Sequence, residues 1–185
     1  VTLSESALYN QLVNATPTNP AAASKGDKLV KPGYVDRSFL LRKIAHGLNE
    51  SNIHLDLAQN EGAPMPSGLT PISKPEIELI RQWILFGAPQ TGEVVDTAMI
   101  NKYYREGGID DVYPNHNPPA AGTGFQIYVG KIFIQPSYET YYFIKHTPKL
   151  SSDIEIPRIE TMLPSASHHF VIYKFLPGGE NNYRE

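Results

Sequence analysis

The sequence predicts a multi-domain chain, a small all-α module followed by part of an antiparallel β-sandwich. Two observations predict it. Up to about residue 89 the apolar residues fall at helical spacing, in pieces separated by Pro and Gly. From about residue 122 onward the chain changes to short runs rich in Ile, Val, Tyr and Phe, again with Pro and Gly between them. The expected organisation is a helical module over 1–90, a linker over 91–121 and a partial sandwich over 122–185.

The helical elements follow in order. The first starts near Ser4, carries Leu8 and Leu12 one turn apart, and stops before Pro17. The second spans about residues 36–46, with Asp36 as N-cap, Phe39, Leu40, Leu41 and Ile44 as the apolar side, and Gly47 at its C-terminus. The third has the strongest start signal. Ser73 and Glu76 form a capping box, and Pro75 is tolerated in a first turn whose N–H groups have no intrahelical partner. Ile77, Ile80 and Ile84 then make one stripe, broadened by Leu79, Trp83 and Phe86, and Gly87 ends the helix. The connection that follows contains Gly107, Gly108, Pro114, Pro118 and Pro119. Strands are expected at 125–135, 139–146, 154–159 and 168–175, with Pro157 marking an edge or a bulge in the third.

Composition bounds the chemistry. With 41% hydrophobic and 19% charged residues, the chain has the material for a packed core. A net charge of -3 without a basic cluster gives no pull toward nucleic acid. No stretch reaches the ~20 apolar residues that span a bilayer, so no transmembrane segment is expected. The absence of Cys excludes disulfides, thiolate metal sites and Cys nucleophiles within these residues. No phosphate-binding Gly loop and no Gly-x-Ser-x-Gly elbow is present. The start, Val-Thr-Leu-Ser-Glu-Ser, reads as a mature or cut chain.

Three segments carry a first resemblance: Leu29-Val30-Lys31-Pro32-Gly33, Gly62-Ala63-Pro64-Met65-Pro66 and Trp83-Ile84-Leu85-Phe86-Gly87-Ala88-Pro89. In order and spacing this set resembles the C-terminal part of cytochrome c-like domains of exported bacterial proteins. The resemblance implies that Met65 is an axial haem-iron ligand, a soft thioether that raises the reduction potential opposite His. The Cys-x-x-Cys-His motif that would attach haem c is absent from this sequence. His46 and His54 are candidate substitutes as iron ligands, but both are read as solvated or capping residues.

A second resemblance lies in Ile134-Gln135-Pro136, Glu139-Thr140-Tyr141-Tyr142-Phe143, Asp153-Ile154-Glu155-Ile156 and Ser167-His168-His169-Phe170-Val171-Ile172-Tyr173. These resemble, in order, the N-terminal domain of copper type II ascorbate-dependent monooxygenases. The resemblance implies a β-sandwich in which His168 and His169 are two of the three ligands of an electron-delivering copper, imidazole being a suitable donor. The third His and the second domain of that family would come after Glu185, and His116 and His146 are read as solvated.

Together the resemblances imply a fragment of an exported, periplasmic or extracellular redox protein. Haem c and copper are the expected cofactors. A redox partner or the remaining part of the same polypeptide is the expected partner. The full-length protein would be a copper-dependent monooxygenase, and the fragment alone would be inactive. The alternative is a metal-free cell-surface or filament protein, built from these folds for structure or binding.

Overall fold

The computed structural model describes residues 4–45, 55–106, 117–127, 129, 132–139, 141–148, 150–163, 167 and 169–179. Among them are five α-helices: α1 (Glu5–Leu12), α2 (Pro20–Ser24), α3 (Phe39–Ile44), α4 (Lys74–Leu85) and α5 (Thr97–Arg105). One turn of 3₁₀ helix, Gln59–Glu61, lies between α3 and α4.

Local chemistry sets most of the helix ends. The Ser4 side chain accepts from Ala7 N–H at 3.2 Å and starts α1. Asn19 caps α2 in the same way, on Ala22 N–H at 3.0 Å, and Pro20 fits the first turn. Ser73 N–H donates to the Glu76 carboxylate at 3.0 Å, which is half of the expected capping box. At the other end of α4, Gly87 N–H bonds Ile84 C=O at 3.1 Å and Ala88 N–H bonds Trp83 C=O at 2.8 Å. This Schellman pattern requires a left-handed residue, and Gly87 supplies it with φ +91°.

Helix α3 begins later than Asp36 predicts, with Ser38 at its N-cap. The Ser38 hydroxyl is committed to Lys31 N–H and Tyr34 C=O, both at 2.8 Å. The first-turn donors Phe39 N–H and Leu40 N–H bond the carbonyls of Lys28 and Leu29, at 2.8 and 2.9 Å. A neighbouring strand-like segment thus takes the place of a side-chain cap. That segment also bonds the chain after α1, through Leu29 N–H to Ala15 C=O at 2.7 Å and Asn14 N–H to Val30 C=O at 2.8 Å.

The main core gathers Val30, Val35, Leu41, Ile44, Leu55, Ile77, Ile84 and Ala88, flanked by Leu12, Ile80 and Trp83. A second, smaller core joins Val95, Ile100 and Phe133, with Tyr103 and Tyr104 against it. Helix α4 serves both. Its Ile77–Ile84 side enters the main core, while Glu78, Arg81 and Gln82 are buried on another side. There Glu78 accepts from Arg81, Gln82 and the Tyr104 hydroxyl of α5, at 2.6, 2.6 and 2.9 Å. The Gln82 side-chain oxygen accepts from Phe133 N–H at 3.4 Å. Helix α5 forms in the stretch expected to be an irregular linker.

The expected antiparallel β-sandwich is not formed. The two bridges, Val13 with Val30 and Lys28 with Ser38, are isolated, parallel and in the helical part. No described residue after 106 is in a strand. Backbone hydrogen bonds between described residues of that stretch are local turns, such as Tyr138 N–H to Gln135 C=O at 3.2 Å. The physical reason is a shortage of cover. Four short runs interrupted by Pro136, Pro148 and Pro157 amount to one layer at most, and a sandwich needs a second layer against which to bury its apolar face. Phe143, Ile156, Ile159, Val171, Tyr173 and Leu176 are accordingly all exposed. Among the described residues, the near end of the stretch docks. Phe133 enters the second core, and Tyr138 and Tyr142 stand edge-on to Phe86, with ring centroids 5.0 and 6.4 Å away. Burial pushes the Tyr142 hydroxyl up to about 12, and it has no hydrogen-bond partner among the described residues.

Beneath the 3₁₀ turn lies a buried ion cluster. Arg42 forks onto Glu61 at 2.5 and 2.8 Å and reaches Asp27 at 2.5 Å. Lys25 Nζ and Ala58 N–H each add a bond to Glu61 at 2.8 Å. Burial opposes ionisation of Glu61, but the hydrogen bonds from Arg42, Lys25 and Ala58 overcome it and hold the carboxyl at about 2 instead of 4.5. The depressed value means that this contribution to stability is complete above pH 4.5 and is lost as pH falls toward 2. Glu61→Gln should flatten the fall of Tm over that window. It should also cost about 3–5 kcal/mol at pH 7, by leaving Arg42 short of a charge. Thermal unfolding from pH 7 down to pH 2 checks both; an unchanged acid slope in the variant would contradict the assignment.

Candidate functional site: the Met65 loop

The loop from Glu61 to Pro66 leaves the ion cluster and turns outward. Glu61 is 1% exposed and Met65 is 47% exposed, only four residues later. Gly62 makes the reversal possible with φ +79°, a value that side chains disfavour. Pro64 and Pro66 flank Met65 and fix two of the loop's φ angles.

The last turn of α3 holds this loop from below. Met65 N–H donates to the Lys43 carbonyl at 2.7 Å. That carbonyl is one of the four at a helix C-terminus that lack an intrahelical partner. The Lys43 ammonium donates to the Glu61 carbonyl at 3.3 Å and to the Ala63 carbonyl. It also lies 5.7 Å from the centre of the Phe39 ring. The result is a half-exposed thioether at the tip of a backbone pinned at three points. Such a group can act as a soft ligand toward an iron or copper centre. The half-exposed side chain of Met65 would be the group of this loop that holds the iron if the resemblance is followed. A ligand on the opposite side of a haem would have to come from elsewhere; His46 and His54 lie outside the described residues.

The copper candidates are placed less fully. His169 is exposed on a segment without helix or strand, and His168 lies outside the described residues, as does His116. His146 stacks on Phe125, with centroids 6.1 Å apart and planes 27° apart. Among the described residues no three His, Cys, Asp or Glu side chains are grouped to share a metal ion. No helix among the described residues is long and apolar enough to cross a membrane.

Arg42 and Lys43 are the residues of this site that sequence reasoning missed. Adjacent basic residues in the last turn of a helix read as solvated charge favoured by the helix dipole. Their separate roles, one on the Glu61 side chain and one on the loop carbonyls, depend on a loop 18–20 residues downstream. Comparison with family models, with curated proteins and with solved structures returned no match.

The geometry makes Met65 the readier target for mild peroxide than Met99, which is partly buried against the second core. Peptide mapping should find the Met65 sulfoxide well ahead of the Met99 sulfoxide. Oxidation of Met99 first would mean that the loop shields the thioether.

Proposed function

We propose that the chain serves one-electron transfer within an exported redox protein, with Met65 as a thioether ligand to haem iron and the His168–His169 pair as ligands to copper. The observation that carries this reading is the half-exposed Met65 on a loop whose backbone is pinned at Glu61, at Ala63 and at Met65 itself. Haem would supply a reversible one-electron couple, and a thioether ligand favours its reduced state. The role of this chain's residues is to present the sulfur on a loop held against the last turn of α3. The copper pair would receive electrons for a hydroxylation completed by other residues of the protein. Export accompanies the reading because haem c is attached outside the cytoplasm.

The test is titration of the purified chain with ferrous haem in the presence of imidazole, followed by absorbance and magnetic circular dichroism. A low-spin, thioether-ligated species should form in the wild type and be lost in Met65→Ala. An identical spectrum in Met65→Ala would refute the ligand role. For copper, tight Cu(II) binding by calorimetry should be lost on His168→Ala and His169→Ala; binding that survived both would refute that assignment.

A second reading, a metal-free binding or structural module, is favoured by one specific observation. Tyr141, Phe143, Ile156, Val171, Tyr173 and Leu176 stand exposed on backbone outside any helix or strand, and apolar surface of that kind marks contact with other polypeptide. The same titration separates the two, since a module of this class would bind neither haem through Met65 nor copper through the histidine pair.

A further inference from the structure

We infer that Lys43 is the positioning residue for the Met65 thioether, an inference that rests on the ligand reading of Met65. One residue meets the loop at three places. Its carbonyl takes Met65 N–H at 2.7 Å. Its ammonium takes the carbonyls of Glu61, at 3.3 Å, and Ala63. The ammonium also passes close to the intervening residue, since a Cβ on Gly62 would meet it in van der Waals contact at 3.5 Å. The loop is therefore draped over a point charge whose donors face its carbonyls.

The division of labour with Arg42 gives this assignment its content. Arg42 bonds the Glu61 carboxylate inside the protein and reaches the Asp56 carbonyl at 3.4 Å; none of its hydrogen bonds falls on residues 62–65. Lys43 bonds only backbone of the outward stretch. Removing the Lys43 ammonium leaves the Arg42 cluster and the main core in place, and frees the carbonyls that orient the chain just before Met65. A metal ligand gains affinity and a defined geometry when its backbone is fixed before binding, so Lys43 acts on metal binding through Met65 without touching the metal.

The experiment uses the whole chain without haem, carrying ¹³C-methyl methionine. Wild type should give one narrow Met65 methyl signal. Lys43→Met keeps the backbone carbonyl and the length of the side chain while removing the donors. It should broaden or split the Met65 signal and speed amide exchange at Met65 about tenfold, with the Met99 signal unmoved. Lys43→Arg should restore the narrow signal and the slow exchange. Two results would overturn the assignment: a Met65 signal and exchange rate unchanged in Lys43→Met, or changes of equal size at Met99, which would mean general loosening. Should Lys43→Met fail to fold, Lys43→Leu, which also lacks donors, is read the same way. Failure of the ligand reading is distinguishable, because the Lys43 effect on Met65 would persist while Met65→Ala left the haem spectrum unchanged.

Discussion

A guanidinium taken out of water between two carboxylates organises the helical part of this protein. Arg42 is 3% exposed and Asp27 and Glu61 are each 1% exposed, so none of the three can fall back on solvent. Burying one such charge alone costs several kcal/mol, and the cost is offset only if its partners arrive together and in register. The three come from the loop after α2, from α3 and from the 3₁₀ turn. Assembling the cluster therefore fixes three separate stretches of backbone at once. Lys25 closes the edge at 2.8 Å from Glu61 and leaves the assembly close to charge balance. Everything on the outward side of Glu61, Met65 included, inherits its starting point from this cluster.

A second buried polar group repeats the logic on α4. Glu78 gathers Arg81, Gln82 and the Tyr104 hydroxyl, and Gln82 passes one more hydrogen bond to the backbone of Phe133. Helix α4 is thus apolar toward the main core and ionic toward α5, which is why it has no wide solvent face. Among the described residues, the downstream segment attaches where this network, the Tyr103 ring and the Phe86 ring offer it contacts. Beyond Tyr142 most of the large apolar side chains among its described residues are exposed.

The sequence made legible what short-range chemistry decides. Ser4, Ser73 with Glu76, and Gly87 mark helix ends by hydrogen bonds to residues three to five positions away, and those ends form where the residue types indicate. Asp36 misled because the donors it would have capped are satisfied elsewhere, Ser38 N–H by the Val35 carbonyl and Phe39 N–H by the carbonyl of Lys28, a contact between segments. Helix α5 had a readable signal in Asp96, which caps Ala98 N–H at 2.8 Å, and in Ile100, Tyr103 and Tyr104 at helical spacing. The strand-rich runs were real as patterns, but pairing depends on partners and cover that a pattern does not supply. The ion cluster was invisible, because Arg, Asp and Glu are ordinarily surface residues and nothing within a few positions shows that these three are buried. Of the candidate site, a rigid loop around Met65 was legible from its flanking prolines, and its exposure and the residues holding it were not.

The account turns on the claim that Arg42 and Glu61 act as one unit. A double-mutant cycle with Arg42→Met, Glu61→Leu and the pair, read by chemical denaturation at pH 7, measures that claim directly. Each single variant should be strongly destabilised by the charge it strands. The double variant should recover much of the loss, with a coupling of about 2 kcal/mol or more. Strictly additive losses, with the double variant as unstable as the sum of the two, would contradict the account and would place the anchor of the Met65 loop elsewhere.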